Sequence, residues 1–177
     1  ALLDFENGRG PCGNGTPATN MSRKGTVPRG TYNGLRFTIG VPVALNHSDP
    51  TTAAAPLSTT AMFWNWQGGY KFIKFDSTAQ AAPQARDHQG AQHHEASAAF
   101  AFHLGSTQCA APQATPAAAR CQQANRVPVE LRGSDPRQRK VVIDIGRILE
   151  STDVGVNSPN SPPGCMSSLE DPDCHGI

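Results

Sequence analysis

Two tryptophans form the part of this sequence whose residue types and spacing are best suited to chemistry. Trp64 and Trp66 are the two tryptophans of the chain, they stand two positions apart, and Gly68 and Gly69 follow them directly. If the segment is extended, the period of two places both indoles on the same face. The pair is therefore either part of an aromatic core or, beside a Gly-Gly turn at the rim of a sheet, part of a binding site.

Two histidines could supply metal-binding nitrogen atoms near such a site. His103 alternates with Phe102 and shares its face with the small Ala101, which leaves space for an ion or for another side chain. The alternative is that His103, like most histidines within strands, is simply exposed or hydrogen-bonded and binds no metal. His47 lies in a polar turn, where histidines are commonly solvated, but imidazole in either position suits copper.

The cysteine count indicates disulfides and an oxidising compartment. Of the five cysteines, four form two neighbouring pairs, each enclosing a short loop that contains proline. We predict the disulfides Cys109–Cys121 and Cys165–Cys174. Cys12 then has no partner within the chain, and we expect that partner to lie upstream of the first residue.

Charge and motif content exclude several classes of function. The net charge of +1 gives no basic field for nucleic acid, and no apolar run is long enough to span a bilayer. The G-x-S-x-G elbow of serine hydrolases is absent, and no suitable cluster of histidine and methionine follows Cys109 or Cys174 to form a blue-copper site. The sequence therefore displays no catalytic machinery of its own.

Hydrophobic alternation with a period of two dominates the chain and predicts an all-β fold. The predicted elements are an antiparallel β-sandwich or barrel-like sheet, long loops closed by disulfides, and at most short helices. The candidate strands are 1–5, 35–41, 71–75, 100–104, 127–131 and 141–145. Segments 78–97 and 110–120, which are rich in alanine and glutamine, are predicted loops, and 145–151 is a candidate short helix.

Four ordered blocks of sequence carry a resemblance to a known family. They include Gly-Leu-Arg-Phe with Leu-Asn-His-Ser-Asp, then Met-Phe-Trp-Asn-Trp-Gln-Gly-Gly-Tyr, then Phe-His-Leu-Gly-Ser-Thr-Gln-Cys, and finally Gly-Cys-Met-Ser with Asp-Pro-Asp-Cys. Together they resemble the MbnP-like proteins, in particular the four-cysteine branch called the metallo-mystery pair. The copper-repressible proteins MopE and CorA of methane-oxidising bacteria are more distant relatives.

The resemblance implies a function and a set of site residues. It implies an exported copper-binding protein, located in the periplasm or on the surface of a Gram-negative bacterium, which is not itself an enzyme. Its partner would be a di-haem cytochrome c peroxidase-like (MbnH-like) enzyme that oxidises a tryptophan to kynurenine. Carried over, Trp64 or Trp66 would be the modified residue, with Trp64 preferred, and His103 and His47 would bind Cu(I) or Cu(II), with His103 preferred.

The same resemblance bears on the extent of the domain and leaves one alternative open. Residues 1–177 are expected to form a single β domain that lacks its N-terminal strand segment, because family members carry further N-terminal strands with a cysteine. MopE-type sites place a histidine two residues after the oxidised tryptophan, whereas Trp66 occupies that position after Trp64. The alternative is a disulfide-stapled surface module that binds a protein or a glycan and holds no metal.

Overall fold

The computed structural model describes residues 1–9, 13, 15–79, 98–110 and 120–177. Within them, strands dominate and helices are short, so the predicted all-β class is confirmed. The strands are β1 (Gly34–Ile39), β2 (Phe63–Asn65), β3 (Gly69–Ala79), β4 (Ala98–Gly105), β5 (Thr107–Cys109), β6 (Cys121–Gln123), β7 (Val127–Arg132) and β8 (Gly164–Cys165). The helical turns are α1 (Ile145–Ile148) and the 3-10 turns Thr60–Met62, Pro136–Gln138 and Pro172–Cys174.

Several predicted features fall outside this part of the chain. Cys12 lies outside the described residues, as do 80–97 and 111–119 of the two predicted loops. The first of those loops was predicted to begin at Thr78, but β3 continues to Ala79. Among the described residues, no helix has the length and apolar character needed to cross a membrane.

The described chain divides into two compact units. The first unit consists of Ala1–Ile73 and Leu104–Ile143, and the second consists of Lys74–His103 and Asp144–Ile177. Both β3 and β4 therefore begin in one unit and end in the other. The expectation of a single domain stays a prediction.

In the first unit, β1 and β7 form an antiparallel ribbon whose register follows the hydrophobic alternation. Leu35 lies opposite Leu131, and Phe37 lies opposite Val129, so apolar side chains of the two strands share one face. Arg36 lies opposite Glu130 on the other face, and their side chains form an ion pair at 2.9 Å. Both strands were predicted from the period of two, and both are confirmed.

A second sheet has the strand order β2-β3-β4-β8. Strands β2 and β3 pair antiparallel in the first unit, whereas β4 and β8 pair parallel in the second. In the first unit Tyr70 is buried, and its ring meets that of Phe63 edge to face at 4.9 Å. In the second unit Phe100 and Phe102 are buried, which confirms the predicted inward face of β4.

Two predicted strands are wrong. Segment 141–145 is not a strand, because Asp144 caps the N-terminus of α1 by accepting a hydrogen bond from the backbone N–H of Arg147. Its apolar row is not buried either, since Val142 is 81% exposed. Segment 1–5 makes only an isolated bridge, in which Asp4 pairs with Asn20. The short helix predicted at 145–151 is confirmed as α1, although it ends at Ile148.

Candidate metal centre

The two tryptophans lie on a tight hairpin at the edge of the four-stranded sheet. Trp64 is in β2, whereas Trp66 belongs to the turn that connects β2 to β3. Asn65 closes this turn, because its Oδ1 accepts hydrogen bonds from the backbone N–H groups of Gln67 at 2.9 Å and Gly68 at 2.6 Å. The hairpin explains why the indoles do not project from one extended strand, as continuous alternation would require.

The indoles of the two tryptophans have different surroundings. Trp64 is partly buried, and its benzo ring lies so close to the backbone of Gly105 that a Cβ at this glycine would overlap it. Trp66 is 51% exposed. Only Trp64 therefore has a packed indole, and the indole of Trp66 is open to a partner.

His47 is buried rather than solvated, contrary to the expectation for a histidine in a polar turn. The turn exists, since the backbone N–H of Leu45 donates to the carbonyl of Pro42 at 2.8 Å. However, His47 is only 3% exposed, and its Nδ1 lies 3.1 Å from the carbonyl oxygen of Trp66. Because a carbonyl can only accept, Nδ1 carries the proton, and Nε2 of the neutral ring is then an acceptor.

Asn46 holds this histidine in place. Its Nδ2 lies 3.4 Å from Nε2 of His47, and its Oδ1 accepts a hydrogen bond from the backbone N–H of Tyr70 at 3.2 Å. Asn46 is itself 2% exposed, and the close approach of Gly69, whose φ is +74°, leaves no room there for a Cβ. The buried amide therefore couples the ring of His47 to the start of β3.

The first predicted disulfide, Cys109–Cys121, is confirmed and lies beside His47. The two cysteines are direct partners in the antiparallel pair of β5 and β6. Nε2 of His47 lies 3.6 Å from Sγ of Cys121, and the donor atoms of His47, Cys109 and Cys121 all lie within 4.8 Å of one another. Gln67 of the tryptophan hairpin also donates to the carbonyl of Cys109 at 3.2 Å.

A cavity of about 370 Å³ adjoins this group of residues in the first unit. Its lining combines apolar side chains with the histidine, one cysteine and one cationic side chain: Val41, Val43, Asn46, His47, Ser106, Arg120, Cys121 and Ala124. The sequence predicted Cys109 and Cys121 only as a disulfide and gave no sign that they lie beside His47. No local spacing signals that contact, because 74 positions separate His47 from Cys121.

His103 lies in the second unit and has a different partner. Its Nε2 lies 2.6 Å from Oδ1 of Asp76. The other carboxylate oxygen of Asp76, Oδ2, forms an ion pair with Nζ of Lys74 at 2.9 Å. Partial burial raises the pKa of Asp76, but the hydrogen bonds and charges of Lys74 and His103 outweigh it, so the pKa lies below its ordinary value. The position of His103 on the side of β4 opposite Phe102 is as the alternation predicts.

The second predicted disulfide, Cys165–Cys174, is confirmed in the second unit. Cys165 is 3% exposed and lies in β8 opposite Phe102 of β4. Ser167, two positions after Cys165, donates to the backbone carbonyl of His103 at 2.6 Å. This disulfide therefore anchors the C-terminal segment beside the strand that carries His103.

Comparison with known proteins places the chain in a family. The family model named MbnP matches residues 1–167. The solved structure of MbnP from Methylosinus trichosporium superposes with a TM-score of 0.75 at 32% sequence identity and covers 99% of this chain. The alignment spans 63% of that relative's own length. No curated protein matches the sequence. The chain therefore belongs to the MbnP family.

Proposed function

We propose that this chain is an exported copper-binding protein whose metal centre includes His47 and an oxidised tryptophan of the β2–β3 hairpin. The observation that carries the proposal is the hydrogen bond between Nδ1 of His47 and the carbonyl of Trp66. It joins a proposed copper ligand to the segment proposed for modification. A backbone carbonyl on one ring nitrogen is also the usual support of a metal-binding histidine, because it fixes the tautomer and the ring orientation.

Before a tryptophan is oxidised, the proposed site in the first unit has a good copper ligand in His47 but none in its two indoles. His47 offers a neutral imidazole nitrogen, which suits both Cu(I) and Cu(II). The indole nitrogens of Trp64 and Trp66 are poor ligands, because their lone pairs belong to the aromatic ring. Opening the ring to kynurenine creates an aromatic amine and a ketone, which adds the donor atoms that the unmodified side chain lacks.

The modification requires an oxidant, which we assign to hydrogen peroxide used by a di-haem cytochrome c peroxidase-like partner. Two equivalents of peroxide cleave the C2–C3 bond of the indole, insert two oxygen atoms and leave as two waters, giving N-formylkynurenine. Hydrolysis then releases the formyl carbon as formate. The sequence resemblance favours Trp64 as the oxidised residue, whereas the 51% exposure of Trp66 favours the second indole.

His103 is the further proposed ligand, and in this structure its Nε2 is engaged by Asp76. A carboxylate on one imidazole nitrogen is a recognised support for a metal-binding ring, because it makes the other nitrogen a better donor. The proposal therefore gives His103 a ligand role that is tested separately from that of His47.

The two disulfides support the cellular setting that we propose. Disulfides persist in oxidising compartments, and both pairs close short loops of a chain that is poor in charge. We place the protein in the periplasm or on the cell surface of a Gram-negative bacterium. The role is that of a binding protein and a substrate of its partner enzyme rather than that of an enzyme.

The test is mass spectrometry of the protein produced with and without the di-haem partner. We expect a net gain of one oxygen and loss of one carbon on Trp64 or Trp66 only when the partner is present, and Trp64→Phe and Trp66→Phe each identify the residue. Copper titration of the modified protein is then expected to show weaker binding in His47→Ala and in His103→Ala. Intact indoles after production with an active partner would contradict the proposal.

A second function is favoured by the exposed apolar side chains near the hairpin. Trp66 is 51% exposed, and Val43 and Leu45 of the turn that holds His47 are 55% and 45% exposed. Such side chains suit stacking on a glycan or packing against a protein. This alternative predicts intact indoles, no tight copper binding, and loss of partner binding in Trp66→Ala.

A further inference from the structure

We propose that reduction of the Cys109–Cys121 disulfide turns the group around His47 into a three-donor site for Cu(I). The three donor atoms lie within 4.8 Å of one another in the described structure. Both sulfur atoms are joined to each other there, so the oxidised protein cannot offer thiolates. The site uses only unmodified side chains, and it therefore stands independently of tryptophan oxidation.

The backbone keeps these donors together after the sulfur–sulfur bond is broken. Cys109 and Cys121 are direct cross-strand partners, and Thr107 pairs with Gln123 one step along the same ladder. Just beyond the cysteines, the backbone N–H of Ala110 donates to the carbonyl of Arg120 at 2.9 Å. Strand pairing on both sides of the cysteines thus holds the two thiols next to each other.

The spacing of the donors agrees with a single small cation. Metal–nitrogen bonds of about 2.0 Å and metal–sulfur bonds of about 2.3 Å place ligand atoms around one ion about 3.5 to 4 Å apart. Nε2 of His47 lies 3.6 Å from Sγ of Cys121, and the hydrogen bond from Nδ1 to the Trp66 carbonyl makes Nε2 the unprotonated nitrogen. Two thiolates and one imidazole form a soft donor set, which suits Cu(I).

The adjoining cavity gives the disulfide access to a reductant. Cys121 lines this cavity of about 370 Å³, whereas Cys109 is only 9% exposed. Sγ of Cys121 is therefore the sulfur that an attacking thiolate reaches, and Cys109 leaves as the thiolate.

The reductant is a dithiol, and the exchange balances without further components. One thiolate of the reductant attacks Sγ of Cys121 to form a mixed disulfide and releases Cys109. The second thiol of the reductant then displaces Cys121, so the reductant leaves as a disulfide and two electrons remain on the cysteines. Binding of Cu(I) displaces the protons of the two thiols to solvent.

The experiment uses the full chain produced without a di-haem partner, with intact indoles verified by mass. Cys12→Ser is introduced into every sample, because it removes the fifth thiol. The oxidised form and an anaerobic form reduced with dithiothreitol and then desalted are titrated with Cu(I) against a chromophoric Cu(I) chelator. We expect the reduced protein to bind one more Cu(I) per chain than the oxidised protein and to gain a thiolate-to-copper absorption band.

Variants assign that additional ion to this group of residues. Cys109→Ser with Cys121→Ser removes the gain, whereas the matched pair Cys165→Ser with Cys174→Ser keeps it. His47→Gln preserves a buried polar side chain and lowers the Cu(I) affinity of the reduced protein at least about tenfold, since loss of a mere supporting partner already costs about 10- to 100-fold. Circular dichroism verifies that each variant is folded.

Three results would overturn the proposal. The first is a reduced, folded protein that binds no more Cu(I) than the oxidised one. The second is a gain that persists in the Cys109→Ser and Cys121→Ser variant, which would assign the ion to other thiols. The third is an unchanged Cu(I) affinity in His47→Gln, which would exclude the histidine and so contradict a three-donor site.

Discussion

The two units of this protein contain the same kinds of residue but use them differently. Each contains one disulfide and one of the two histidines singled out by the sequence. In the first unit, His47 contacts Cys121 and forms a group of three potential donors; among the described residues the second unit forms no such group. The residue types are therefore insufficient to define a site, and the partner of each ring nitrogen decides its chemistry.

The partners explain the difference between the two histidines. Nδ1 of His47 donates a hydrogen bond to a backbone carbonyl, which leaves Nε2 beside Sγ of Cys121. Nε2 of His103 lies 2.6 Å from the carboxylate of Asp76, which accepts a hydrogen bond from this nitrogen. Nε2 of His47 is thus directed at the Cys109–Cys121 disulfide, whereas Nε2 of His103 is directed at an acid.

The largest expected effect comes from removing each disulfide in turn. The two disulfides close loops of similar length, with sequence separations of 12 for Cys109–Cys121 and 9 for Cys165–Cys174. If each disulfide acts by reducing the entropy of the unfolded chain, loss of either lowers the free energy of unfolding by about 3 kcal/mol. Urea unfolding of the two double serine variants measures these costs. A cost for one pair that is several-fold that of the other would show that packing, rather than loop closure, dominates.

A smaller loss of stability is expected from Asn46→Ala. This change removes the hydrogen bond to the buried N–H of Tyr70 and the contact with His47, which costs about 1–3 kcal/mol. Asn157→Ala is the matched control in the second unit, because its side chain also bridges two backbone groups, accepting from Gly164 and donating to Ala99.

Chemical denaturation and histidine NMR distinguish these two asparagine variants. We expect both to lose stability, but only Asn46→Ala to shift the ring resonances of His47. A shift of the His47 resonances in Asn157→Ala, or none in Asn46→Ala, would contradict the role assigned to Asn46.

The smallest effect is expected from Asp76→Asn, and it depends on pH. The pKa of Asp76 is lowered in the folded protein, so its ion pairs stabilise the fold above the unfolded value of about 3.9, and that stability is lost as the pH falls through the folded pKa. Because the side chain of Asp76 is 47% exposed, solvent screens its ion pairs, and the difference at neutral pH is below about 1 kcal/mol.

Thermal unfolding of wild type and Asp76→Asn between neutral and strongly acidic pH measures this effect. The two stability curves are expected to converge at acidic pH. A difference that persists below the folded pKa would show that Asp76 stabilises the fold through packing rather than through its charge.

Strand identity was predictable because it depends on local alternation. The pattern in β1 and β7 places Leu35 and Leu131 on one face, and the structure pairs them in that register. The same pattern failed at 141–145, where Asp144 caps a helix instead and Val142 is 81% exposed. A period of two therefore forms a strand only where the backbone also finds a partner strand, as β1 finds β7.

The site was less predictable than the fold. The turn after the tryptophans was predicted from Gly68 and Gly69, since glycine is a local turn signal, whereas the role of Asn65 in closing it comes from the structure. The burial of His47 did not follow, because a polar turn of the same sequence is equally compatible with a solvated ring. It depends on Asn46, Trp66 and Cys121, each of which contacts the ring.

The sequence by itself determined the β class, both disulfide pairings and the resemblance that the family match confirms. These features depend on alternation, on short cysteine spacings and on ordered blocks of residues, all of which are readable along the chain. Only the tertiary structure decided that His47 is buried against the Cys109–Cys121 disulfide and that His103 pairs with Asp76. Contacts between residues far apart in sequence are set by how the strands pair and pack, and local periodicity does not encode them.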